Sequence, residues 1–106
     1  MACQVNLSAR AEADIEGILA RLQTTAPVAM VGWYTRLMVV VQTLENHPIR
    51  CPLAAEAATL GFELRELLFG KRRSTFRILF RIDGDVVNVL HIRRASRGPV
   101  IPADLS

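Results

Sequence analysis

The side chains in this sequence best suited to chemistry are its arginines. After residue 60 stand Arg65, Lys71, Arg72, Arg73, Arg77, Arg81, Arg93, Arg94 and Arg97, against Glu63, Glu66, Asp83, Asp85 and Asp104. Before it, Arg10, Arg21, Arg36 and Arg50 face Glu12, Asp14, Glu16, Glu45 and Glu56. The overall charge of +3 therefore joins a weakly acidic first half to a basic second half. Guanidinium offers a planar fork of donors matched to phosphate and carboxylate, so this bias points to an anionic partner. Such groups can orient a phosphate and stabilise charge on it, but a group protonated to above about pH 12 cannot act as a base.

Other chemistry is sparse. Cys3, Cys51, His47 and His91 lack the spacing of a metal-ligand set, and no nucleophile motif or phosphate-cradling glycine loop occurs, so neither metal nor cofactor is expected. Two cysteines are too few for a disulfide scaffold and the N-terminus does not read as a secretory signal, which favours a cytoplasmic protein. The apolar run from Val28 to Leu44 is broken by Gly32, Thr35, Arg36, Gln42 and Thr43, so it reads as a core helix rather than a membrane span. With 106 residues, 51% hydrophobic and 22% charged, the chain is expected to form one domain over 1–106, with an extended tail at about 98–106.

The elements that must position the arginines are legible in the periodicity. Cys3 to Leu7 alternates as a short strand, and Ser8 is a good N-cap for a helix over about 9–23 whose stripe is Ala11, Ile15, Ile18, Leu19 and Leu22. Pro27 opens a second helix that runs to Asn46, ended by His47-Pro48, and the short join predicts an antiparallel helical hairpin. Phe62–Phe69, Thr75–Ile82 and Val86–Arg93 read as strands separated by glycine-containing turns. The order is β-α-α-β-β-β, an α+β fold in which the hairpin covers one face of a small, largely antiparallel sheet.

Strand parity then predicts which face carries the arginines. Phe76, Ile78, Phe80 and Ile82 point toward the helices, and Arg77, Leu79 and Arg81 point outward. A two-residue turn near Gly84 would put Asn88, Leu90, Ile92 and Arg94 with Arg77, and His91 in the core with Val87 and Val89. On the preceding strand Phe62, Leu64 and Leu68 read as inner, and Glu63, Arg65 and Leu67 as outer. The expected outer face thus gathers Arg65, Arg77, Arg81 and Arg94, with Lys71, Arg72 and Arg73 at the hairpin and Arg97 beyond the last strand.

Three segments, Glu63-Leu64-Arg65-Glu66-Leu67, Phe76-Arg77-Ile78-Leu79-Phe80 and Val89-Leu90-His91-Ile92-Arg93-Arg94, resemble the RelE/ParE superfamily of bacterial toxins, also called plasmid stabilisation proteins. The first half is similar as well, through Ala13-Asp14-Ile15 and the His-Pro that ends the second helix. The resemblance implies a growth-inhibiting toxin of a type II toxin–antitoxin pair, neutralised by a cognate antitoxin, as a homodimer or within a toxin–antitoxin hetero-oligomer. It implies one of two targets: ribosome-bound mRNA, which the toxin would cleave, or DNA gyrase, inhibited without catalysis; a degenerate, inactive toxin is the remaining reading. On the nuclease reading, Arg77, Arg65 and Arg94 carry the catalytic roles, and Arg81, Lys71, Arg72, Arg73 and Arg97 bind nucleic acid or antitoxin. Leu67 fills a second position that is basic in the nuclease pattern, and the only tyrosine, Tyr34, is far from the last strand.

Overall fold

A computed structural model describes residues 2–106. Ser8 caps the first helix, its Oγ accepting the Ala11 N–H at 3.0 Å, and helix α1 runs Ala9–Thr25. After the single residue Ala26, Pro27 occupies the first turn of helix α2, Pro27–Gln42, where its missing N–H leaves no bond unmade. The predicted end at Asn46 is replaced by a tight 3-10 turn over Thr43–Glu45. A one-turn helix α3, Ala57–Leu60, precedes the main strands. Strand β1 is Gln4–Leu7, β2 Arg65–Phe69, β3 Phe76–Asp83 and β4 Val86–Arg94.

The sheet order is β1-β4-β3-β2, with β1 parallel to β4 and the other pairs antiparallel. The hairpin of α1 and α2 lies on one face, and the main core fills the gap with Ile15, Ile18, Leu37, Val41 and Leu44 from the helical side. From the sheet come Phe76, Ile78, Phe80, Val87, Val89 and Ile92. This is the α+β arrangement expected from the element order. No helix is long and apolar enough to cross a membrane.

Two registers differ from the parity reading. In β2, Leu67 pairs with Ile78 and Phe69 with Phe76, so Leu67 and Phe69 face the helices while Leu68 is exposed. The reason is the even-numbered connection Gly70–Thr75 and the packing of Trp33, whose ring meets Phe69 at 5.9 Å and Phe76 at 5.4 Å, edge to face. In β4, the pairing of Phe80 with Val89 and Leu79 with His91 leaves Leu90 as an extra residue, a β-bulge. Beyond it every side chain changes face: Arg93 joins Arg77, whereas Arg94 pairs with Phe76 on the helical side. Adjacent apolar residues Val89-Leu90 inside an otherwise alternating strand are the trace of that bulge in the sequence.

The bulge lies where β1 ends, and polar groups from the start of α1 replace the missing strand. The Ser8 N–H donates to the Val89 carbonyl at 2.9 Å and Ser8 Oγ to the Leu90 carbonyl at 3.1 Å. Asp14 Oδ2 accepts the Ile92 N–H at 2.9 Å and His91 Nδ1–H at 2.6 Å, and its other oxygen accepts Arg10 Nε–H at 3.2 Å. Burial alone would raise the Asp14 pKa, but the bonds from His91 and Ile92 outweigh it and hold the carboxyl below its ordinary value. His91 is thus buried, as expected, but on the register of Leu79 rather than beside Val87 and Val89. Asp14→Ala leaves two buried donors without acceptors and is expected to lower stability by about 2–4 kcal/mol. Asp14→Asn, which keeps an acceptor oxygen, should lose less; equal losses in urea unfolding would refute this role for the carboxylate.

The opposite face of the sheet is covered. Ala54, Leu64, Leu79 and Val100 form a second, smaller core, flanked by Leu60, Phe62, Leu90 and Leu105. The tail expected at 98–106 is extended only as far as Ile101, then makes a 3-10 turn over Pro102–Leu105, and Val100 packs it down. The expectation that this face looks outward is therefore corrected: a loop and the tail close over its middle.

Candidate functional site

Arg77 shows what that cover does to the expected site. Its side chain, 10% exposed, donates from Nη1 and Nη2 to both oxygens of Glu56 at 2.8 and 2.7 Å. Its Nε–H goes to Glu66 Oε1 at 2.9 Å. Glu56 in turn accepts the Val100 N–H at 3.0 Å, so the same carboxylate holds Arg77 and the tail. The bidentate bond from Arg77 holds the Glu56 carboxyl down at about 2, against an ordinary 4.5, despite its burial. Arg77 is shifted the other way, above its already high value, by Glu56 first and then, against its own burial, by Glu66.

The remaining arginines divide between the two faces. Arg65 reaches the Cys51 carbonyl at 2.8 Å and Glu63 at 2.9 Å, at the sheet edge covered by residues 51–54. Arg81 pairs with Asp83 at 2.9 Å and lies over the Phe62 ring at 5.1 Å. Arg94 stacks on Phe76 at 5.4 Å and donates to the Arg73 carbonyl at 2.9 Å. Arg97 and the hairpin residues Lys71, Arg72 and Arg73 are exposed. The expected constellation of Arg65, Arg77, Arg81 and Arg94 is not assembled: the bulge sends Arg94 to the helical side, and the β2 register puts Arg65 on the side of Phe80.

Several structural partners escaped the sequence reading. Arg93, which takes the place beside Arg77, is 5% exposed and binds Asp104 at 3.0 Å. A backbone hydrogen bond from Ile101, aided by Arg93, keeps the Asp104 carboxyl below its ordinary range. Glu56 is the sole acid between Asn46 and Phe62, which is the only hint of its role in the sequence. Among the described residues no group of three His, Cys, Asp or Glu side chains is placed to hold a metal ion.

Chemically, the Arg77 cluster is a largely buried ion network whose Nε, Nη1 and Nη2 all have carboxylate acceptors, at the base of an open depression of about 460 Å³ beside the tail, whereas Arg21, Arg94, Arg97 and the hairpin cations have no carboxylate partner among the described residues. A search among curated proteins gives no match. Among solved structures, a chain described as "Chromosomal ParDE TA system from P. aeruginosa" is similar, with a TM-score of 0.70 at 18% identity, over 88% of this chain and 96% of that one. At that identity the likeness speaks for the fold. The family model described as the ParE toxin of the type II toxin–antitoxin system parDE matches residues 5–99, nearly all of the folded elements, and the chain therefore belongs to the ParE toxin family.

Proposed function

We propose that this toxin arrests growth by binding a protein target, DNA gyrase, without cleaving RNA, and that a cognate antitoxin neutralises it. The observation that carries the reading is the engagement of Arg77 by Glu56 and Glu66 beneath the tail. An arginine that stabilises a scissile phosphate must meet it in the transition state, and one enclosed by two carboxylates repels an anion instead. Leu67 and the missing tyrosine after the last strand point the same way, as does His91, which is fully buried and cannot serve as an acid or base at the surface. A binding toxin also needs a surface for proteins. Helix α2 exposes Val28, Val31, Tyr34 and Val39 and contains no acid, a face left uncovered by the described residues.

Pulse-labelling after induction without antitoxin tests the reading. DNA synthesis is expected to fall first, with filamentation, and the purified protein should inhibit supercoiling by gyrase while leaving ribosome-bound mRNA intact. Prompt loss of translation with cleaved mRNA would overturn it.

A further inference from the structure

One end of the molecule concentrates positive charge that no carboxylate among the described residues neutralises. Arg21 on α1, Lys71, Arg72 and Arg73 in the β2–β3 hairpin, and Arg94 and Arg97 after the bulge form no ion pair among the described residues. They are contiguous. Arg94 touches Arg73, and Arg21 and Arg94 together line two adjoining depressions of about 200 and 160 Å³. The smaller one also holds Arg93 and Arg97, with Gly17 on its helical wall.

Two further features mark this end as built for an anion. Arg93, which lines the smaller depression, is buried and its Nε–H has no hydrogen-bond partner, so its charge is offset only through the Asp104 contact of its Nη1. The acid beside it, Asp14, is already committed to His91, Ile92 and Arg10. The hairpin, for its part, is held under strain. Arg72 sits at φ 53°, a left-handed conformation that glycine or asparagine adopts at less cost, and a Cβ on Gly70 would come within 2.2 Å of the Ser74 carbonyl oxygen. An arginine kept at a position that disfavours it puts three consecutive cations on an exposed turn.

We propose that this ridge binds the phosphate backbone of duplex DNA, one phosphate entering the pocket between α1 and the end of β4 and its neighbours following the hairpin. A run of exposed, unpaired cations extending past a single pocket suits a polyanion with evenly spaced charges. Single-stranded nucleic acid would call for stacking platforms, and the one tryptophan here has its ring packed against Phe69 and Phe76. The ridge takes up Arg94, the hairpin cations and Arg97 from the expected basic set but leaves out Arg77, from which the bulge has separated Arg94, and it goes beyond inhibition of gyrase, since it concerns the toxin and DNA alone.

The test is fluorescence anisotropy of a labelled DNA duplex of about 20 base pairs with the full chain, across about 0.05–0.3 M salt. Affinity is expected to fall with salt by about 0.9 logarithmic units per decade for each phosphate engaged. Arg21→Ala and Arg94→Ala should each weaken binding roughly tenfold at about 0.1 M salt and reduce that slope by about 1. Gly17→Glu, which places a carboxylate in the open pocket without removing a cation, should weaken binding similarly, while Arg36→Ala, on α2 but lining neither depression, should not. Circular dichroism confirms that each variant is folded. No binding at low salt, or ridge variants that bind as the parent does, overturns the proposal. So does a poly-glutamate peptide that outcompetes the duplex for these same residues, since the ridge would then belong to an acidic protein. Gyrase inhibition is read in a separate supercoiling assay, so failure of either reading is visible without the other.

Discussion

Arg77→Ala is expected to lower the unfolding free energy by about 3–5 kcal/mol, the range for removing one partner of a buried ion pair. The loss comes less from the missing attraction than from what is left behind. Glu56, 10% exposed in the intact pair, would be left ionised and without its fork of donors, and Glu66 would lose its bond as well. Because Glu56 also accepts the Val100 N–H, the tail should loosen, exposing Leu64 and Leu79. Urea unfolding of the variant measures the effect. The double variant Arg77→Met with Glu56→Leu removes both charges together and should recover much of the stability, since apolar replacement of a whole buried pair is often neutral. This pair of variants separates structure from catalysis. If Arg77 acts only through the fold, growth inhibition returns with stability in the double variant; a double variant that is stable but harmless would restore Arg77 to a catalytic role.

The same cluster sets the acid limb of stability. Glu56 titrates near 2 in the folded chain against an ordinary 4.5, so the unfolded chain takes up its proton first as pH falls. The stabilisation is fully present above about pH 5 and is lost progressively between there and about pH 2. Its size is on the order of 3 kcal/mol. Asp14 and Asp104, also held below their ordinary values, act in the same direction. A urea midpoint measured from pH 7 to pH 2.5 should therefore fall steeply below pH 5. Glu56→Gln should start less stable and show a shallower decline. An unchanged slope in that variant would mean that another carboxylate governs acid unfolding.

These two expected outcomes bear on the proposed reading, in which the toxin acts without a catalytic centre. The central-strand arginine that could meet a phosphate is turned into an internal fastener between β3, the loop after α2 and the tail. The charge that stays available lies elsewhere, at the end of α1 and in the hairpin, and the apolar surface that stays available lies on α2.

Much of the architecture follows from local pattern alone. Ser8, Pro27 and the stripe from Ala11 to Leu22 define the helical hairpin, because capping and helical periodicity are decided within a few residues. The alternation from Phe76 to Ile82 assigns the main core face of β3 for the same reason. The resemblance carried by the strand segments also led to the family, and the basic bias of the second half is a property of composition. What the chain could not show locally was register and pairing. A single extra residue at Leu90 moves Arg93 beside Arg77 and Arg94 to the other face, and the even connection after Phe69 inverts β2. Nor could it show that Glu56, 21 residues before Arg77, would cap that arginine, or that the tail would close over both. Charge type is written in the sequence; whether a charge is buried against a partner or left open to a ligand depends on residues brought together from distant positions, and only the tertiary structure decides that.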